Sequence, residues 1–194
     1  MEFVEGSPPP PGTPPPARPQ WFGPPEDLAG AIVPLERVVA RRSDLGLVLT
    51  HATVYPLGCQ LHLQFIALRD YDDVEATGHR PAFPEIDTDD LHFDLRYPDG
   101  AVSSTRRFGI AGMVDHFRVG GSPPGPLLMN LGGGSSGDDR RVCGDRSLWI
   151  YPLLPPQVCT LTVEWARLAV PPTDIEIDGA ELTAAASRAR PLLD

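Results

Sequence analysis

Lysine is missing from this 194-residue sequence, and all 16 basic residues are arginine. With alanine, glycine and proline abundant, that bias is the mark of a high-GC genome, so the arginines alone say little about chemistry. Acids outnumber them, 26 to 16, for a formal net charge of −10 and a pI near 4.8. Neutralising phosphates needs a basic face, so the balance argues against a nucleic-acid partner and against an anionic membrane surface. No apolar run is long enough to span a bilayer, and residues 1–6 carry two glutamates where an export signal would be basic and apolar. Cysteine is scarce too: Cys59, Cys143 and Cys159 make an odd count without a Cys-x-x-Cys pair. These absences lead us to expect reduced thiols in a cytoplasmic protein, neither exported nor anchored.

What the sequence does hold divides at about residue 25. Residues 7–25 contain ten prolines, which cannot donate backbone hydrogen bonds and favour polyproline II. We expect residues 1–25 to be a disordered arm and residues 26–194 to be one domain, long enough for a sizeable core. Trp21 and Phe22 interrupt the arm, and at least one of these adjacent aromatics is expected to dock on the domain or on a partner. Beyond it, Cys59, Leu61, Leu63 and Phe65 alternate with Gln60, His62 and Gln64, the period of a half-buried strand. Leu91, Phe93, Leu95 and Tyr97 repeat the pattern before the turn Pro98-Asp99-Gly100, as do Cys159, Leu161, Val163 and Trp165. Residues 32–40, 45–55, 101–108, 148–153 and 174–177 also read as strands. Asp178, with Glu181 three residues later, caps an alanine-rich helix expected to end at Pro191. The expected fold is an all-β antiparallel sandwich, Greek-key and immunoglobulin-like, with one short C-terminal helix; a β-barrel is the alternative. Phe65, Phe93, Leu161 and Trp165 should share its core.

Few residues are spaced for catalysis. The run Gly132-Gly133-Gly134-Ser135-Ser136-Gly137 lacks the lysine of a phosphate-binding loop and precedes Asp138 and Asp139, which would repel phosphate. It reads as a flexible or bulged loop. Residues 69–90 carry eight acids, but without the spacing of a calcium-binding loop, and read as solvated surface. His51, His62, His79, His92 and His116 form no ligand-spaced pair, so neither metal nor cofactor is expected. Cys59 and Cys159 fall on inward positions, as small hydrophobes. Cys143 stands among Arg140, Arg141 and Arg146, which could activate its thiol. Asp94 and Glu164 could meet across a sheet face, though outward acids are ordinarily solvated. No nucleophile elbow occurs. Pro16-Ala17-Arg18-Pro19 has the spacing of a Pro-rich ligand, but a plain tether is the simpler reading.

Several strings resemble a group of uncharacterised actinobacterial proteins: Trp21-Phe22-Gly23-Pro24-Pro25, Ile32-Val33-Pro34-Leu35, Tyr55-Pro56-Leu57-Gly58, Leu95-Arg96-Tyr97-Pro98-Asp99-Gly100, Gly132-Gly133-Gly134 and Trp149-Ile150-Tyr151-Pro152-Leu153. The resemblance implies one intact cytoplasmic domain and brings no catalytic residue with it. The expected function is therefore a non-enzymatic interaction or structural module whose partner is another protein. Trp21, Phe22, Trp149 and Tyr151 are its candidate contacts. The alternatives are a small-ligand or carbohydrate binder with an aromatic cleft lined by Trp149, Tyr151 or Trp165, and a hydrolase of unfamiliar type.

Overall fold

The computed structural model describes residues 18–68, 90–106, 125–138 and 140–193. Three hairpin-linked strands, β2 (Ala31–Arg41), β3 (Leu45–Tyr55) and β4 (Gly58–Leu68), begin the larger sheet after a two-residue strand β1 (Leu28–Ala29). β5 (Leu91–Arg96) and β6 (Val102–Ser104) form a hairpin in the second sheet. The chain then returns to the first through β7 (Leu127–Gly132), β8 (Ser135–Gly137) and β9 (Arg141–Tyr151). It closes on β10 (Val158–Trp165), β11 (Val170–Asp178), helix α1 (Gly179–Ala186) and β12 (Arg190–Pro191). The six-stranded sheet runs β2-β3-β4-β9-β7 with β8 beside β9, the four-stranded sheet runs β11-β10-β5-β6, and β1 pairs with β12. All pairings are antiparallel and neither sheet closes on itself, so the fold is an all-β sandwich and not a barrel.

Alternation explains which faces meet. Phe65, Phe93, Leu161 and Trp165 are each at most 4% exposed and belong to one core between the sheets. The Phe65 and Trp165 rings meet edge to face at 5.1 Å, a favourable quadrupolar arrangement. Trp165 satisfies its indole by donating Nε1–H to Asp90 Oδ1 at 3.1 Å. Cys59 and Cys159 are buried on inward positions, as their place in the alternation requires. Burial pushes the Cys59 thiol up to about 12, with Cys159 adding to the shift. The helix starts where its cap dictates: Asp178 Oδ1 accepts from the Ala180 and Glu181 amides at 2.9 and 3.4 Å. It ends at Ala186, short of Pro191, and buries Leu182 and Ala185 in the core.

Three expectations need correction. The arm does not extend to residue 25: Gln20–Phe22 form a 3-10 turn, and Trp21 is 3% exposed. Residues 1–17 lie outside the described residues, as do 69–89 and 107–124, which hold all but one acid of the acidic segment. Residues 127–132 and 141–147, outside the segments expected to be strands, are strands. Leu127, Leu128 and Met129 are consecutively buried because both faces of β7 are covered, which erases the alternation. Finally, the glycine run is no free loop. A Cβ on Gly133 would come within 2.0 Å of Asp145 O, and one on Gly137 within 2.0 Å of Arg141 O. Those glycines let β8 lie tightly against β9.

Candidate functional site

The register of the six-stranded sheet sets its outward side chains in transverse rows. Thr53, Gln60, Trp149 and Met129 form one row. His51, His62 and Ser147 form the next, then Val48, Gln64 and Asp145, then Gly46, Ile66, Cys143 and Ser136. The same outer face thus changes along its length from large aromatic to small and polar.

The aromatic end is covered by the chain itself. Trp21 packs with Tyr55, Leu127, Met129 and Trp149 in a second apolar cluster, against which Phe22, Leu28 and Tyr151 lie half-buried. Trp149 Nε1–H donates to Trp21 O at 3.0 Å, and Tyr55 meets Trp149 edge to face at 5.9 Å. The four candidate contacts Trp21, Phe22, Trp149 and Tyr151 are therefore brought together, but on an internal seam. Trp149 and Trp165 are 0% exposed and line no cleft. Arg18 closes the segment, pairing with Glu26 at 2.9 Å and lying over the Phe22 ring.

The other end forms a trough of about 750 Å³. Val48, Ile66 and Gly46 give it an apolar side, while Gln64, Asp145 and Ser135 line it with hydrogen-bonding groups. Ile66 is 40% exposed, and Val38, paired with Val48 on the neighbouring strand, 56%. β8 is held at its rim by Arg146, which donates to Asp145 O at 2.6 Å and Gly134 O at 3.5 Å and stacks over Phe65. Burial lowers the Arg146 pKa, opposed by the nearby Asp145 charge. Of the three arginines near Cys143, this one is thus turned into the fold, and Cys143 lines the trough half-buried.

Between the two ends lies a histidine pair that spacing alone did not reveal. β3 carries a bulge between Leu49 and His51. Strict alternation would point His51 inward with Leu47 and Leu49, but the extra residue turns it outward beside His62. The two imidazoles stack at 4.2 Å, 8° from parallel. His51 Nδ1 lies 3.0 Å from Thr50 Oγ1, whose proton goes to His62 O, so His51 Nδ1–H is the donor in that contact. His62 Nε2 is 3.0 Å from Thr53 Oγ1, and its Nδ1 is 3.4 Å from Ser147 Oγ. Burial, and then the charge of His51, hold His62 below the ordinary imidazole pKa, with Asp145 opposing. Rings stacked in parallel do not aim their nitrogens at one point, and among the described residues no three His, Cys, Asp or Glu side chains gather as a metal site would require.

On the opposite face of the sandwich, Asp94 and Glu164 do share one sheet surface, on paired strands. Arg106 forms an ion pair with Glu164. Among the described residues no helix is long and apolar enough to cross a membrane. No protein-family model, curated protein sequence or solved structure matches this chain.

Proposed function

We propose that this chain is a non-enzymatic protein-interaction module, and that the trough on the outer face of the six-stranded sheet receives an extended, neutral or basic segment of a partner protein. The observation that carries this reading is the division of that face: the N-terminal segment covers one end, while exposed Ile66 and Val38 remain at the other beside Gln64 and Asp145. Apolar side chains adjoining hydrogen-bonding groups suit a peptide, whose side chains and backbone need both. Asp145 is the charged residue of the lining and the chain carries −10 overall, which favours a partner without excess negative charge. A carbohydrate ligand would want an exposed ring to stack on. Phe65, the aromatic residue of the lining, is 4% exposed.

Ile66→Arg tests the reading, because the position is exposed and surface substitutions ordinarily move stability by less than about 0.5 kcal/mol. Affinity capture from the native host with wild type and variant should recover a protein that the variant loses at least about tenfold, equivalent to roughly 1.4 kcal/mol. The captured protein should then protect Cys143 from alkylation. Recovery insensitive to Ile66→Arg, or protection of Cys143 by a sugar or metabolite instead, would overturn it.

A further inference from the structure

We propose that residues 18–26 form a removable strap over an aromatic socket at the covered end of the outer face, and that an aromatic-bearing segment of a partner protein replaces Trp21 there. The socket does not rest on the reading of the trough; only the continuation of such a segment into the trough does.

The sheet builds the socket, not the strap. Trp149, Met129 and Tyr55 stand on β9, β7 and β3, and the register of those strands fixes them. Gly58 adds a further constraint: a Cβ there would come within 2.6 Å of Trp149 Cζ2, so the indole lies against bare backbone of β4. Tyr55 meets the same ring edge to face. With the strap lifted these walls keep their supports, and a site whose walls are already placed binds without the entropic cost of ordering them. Trp21 supplies one ring and one carbonyl, the acceptor for Trp149 Nε1–H. Any peptide has a carbonyl. The specific element is therefore the ring, an aromatic side chain that fills the space between Tyr55, Leu127, Met129 and Trp149.

The strap is attached as a separate piece. Its cluster lies on the outer side of the six-stranded sheet, apart from the inter-sheet core. Lifting it uncovers that cluster and leaves Phe65, Phe93, Leu161 and Trp165 packed, which is the condition for a local opening. Trp21 is the large side chain that the strap buries. The side chains of Arg18 and Glu26, whose ion pair closes the segment, are 39% and 81% exposed, and ion pairs so exposed hold little. The strap also leaves its seat partly unfilled, with a cavity of about 350 Å³ bounded by Arg18, Gly23, Glu26 and Leu57. Its base stays tied: Leu28 and Ala29 pair with Pro191 and Arg190, and Leu192 N–H donates to Asp27 O at 2.8 Å. Tethered there, Trp21 returns to the socket whenever no partner fills it, which keeps the aromatic surface from water. The trough lies on the same strands. Asp145 precedes Trp149 by four residues on β9, about 13 Å at ~3.3 Å per residue, with the histidine pair between.

Two buried indoles allow the test in the intact protein. Trp149 Nε1–H donates to the strap, whereas Trp165 Nε1–H donates to Asp90 beside the inter-sheet core. In NMR hydrogen exchange the Trp149 indole should exchange at least about tenfold faster than that of Trp165, and with little dependence on urea, since a local opening exposes little surface. A full chain carrying Trp21→Ala should keep slow exchange at Trp165. In that chain N-acetyl-tryptophanamide, but not N-acetyl-alaninamide, should slow Trp149 exchange saturably. In wild type the tryptophan amide should act at least about tenfold more weakly, because tethered Trp21 competes with it. A single rate and a single urea dependence at both indoles would make the strap part of the global fold and overturn the inference, as would loss of Trp165 protection in the Trp21→Ala chain. Equal action of the two amides would deny the socket its preference for a ring and overturn it as well. None of these readouts involves the trough, so the Ile66→Arg comparison is decided separately.

Discussion

Removing one oxygen from the interior should stabilise this protein. Tyr97 follows β5 and is 8% exposed, and its hydroxyl has no hydrogen-bond partner among the described residues. Burial holds the phenol un-ionised far above its ordinary range. Ser103 donates its own proton to Pro126 O at 2.6 Å and so does not donate to Tyr97. A buried hydroxyl that is hydrogen-bonded contributes about 1 kcal/mol, whereas an orphaned one carries a desolvation penalty of about 1–3 kcal/mol. Tyr97→Phe keeps the ring in place and deletes the orphan. Allowing for the small void left behind, the expected gain is about 1 kcal/mol, which for a chain this size raises Tm by roughly 2–4 °C. Urea unfolding provides the assay: the midpoint should rise with the m-value unchanged. A loss of about 1 kcal/mol or more would refute the reasoning, since it would mean that the hydroxyl donates to a real acceptor, with Ser103 Oγ the first candidate.

Two further outcomes are expected. Phe93→Ala should cost about 3–5 kcal/mol in the same assay, since its ring is 0% exposed at the centre of the shared core; a cost below about 1 kcal/mol would place β5 in the wrong register. The depressed pKa of His62 makes its contribution to stability complete above the ordinary imidazole value of about 6.5, and progressively lost as pH falls from there towards the folded-state midpoint. His51→Ala removes the stacked neighbour and should move that midpoint upward in an NMR titration, with burial alone still holding it below the ordinary value; an unchanged midpoint would show that the two rings are not coupled.

Period-two alternation was sufficient by itself for the sandwich and for the inward set Cys59, Phe65, Phe93, Cys159 and Leu161, because side-chain direction in a strand is local geometry. The same holds for the start of α1, where Asp178 captures amides two and three residues away. Tertiary structure decided whatever depends on partners distant in sequence. The Trp21–Trp149 contact closes across 128 residues and turns residues that look like exposed binding aromatics into an internal seam. The bulge in β3 reverses His51 at a point where the run Leu47, Leu49, His51 carries no mark of it, since one inserted residue exchanges the two faces of a strand. Gly133 and Gly137 read as loop because a glycine's value lies in the backbone it lets approach, and that backbone belongs to β9. The trough arises the same way: Val48, Ile66 and Asp145 are unremarkable outward residues on three strands, made into one surface only by the register that aligns them.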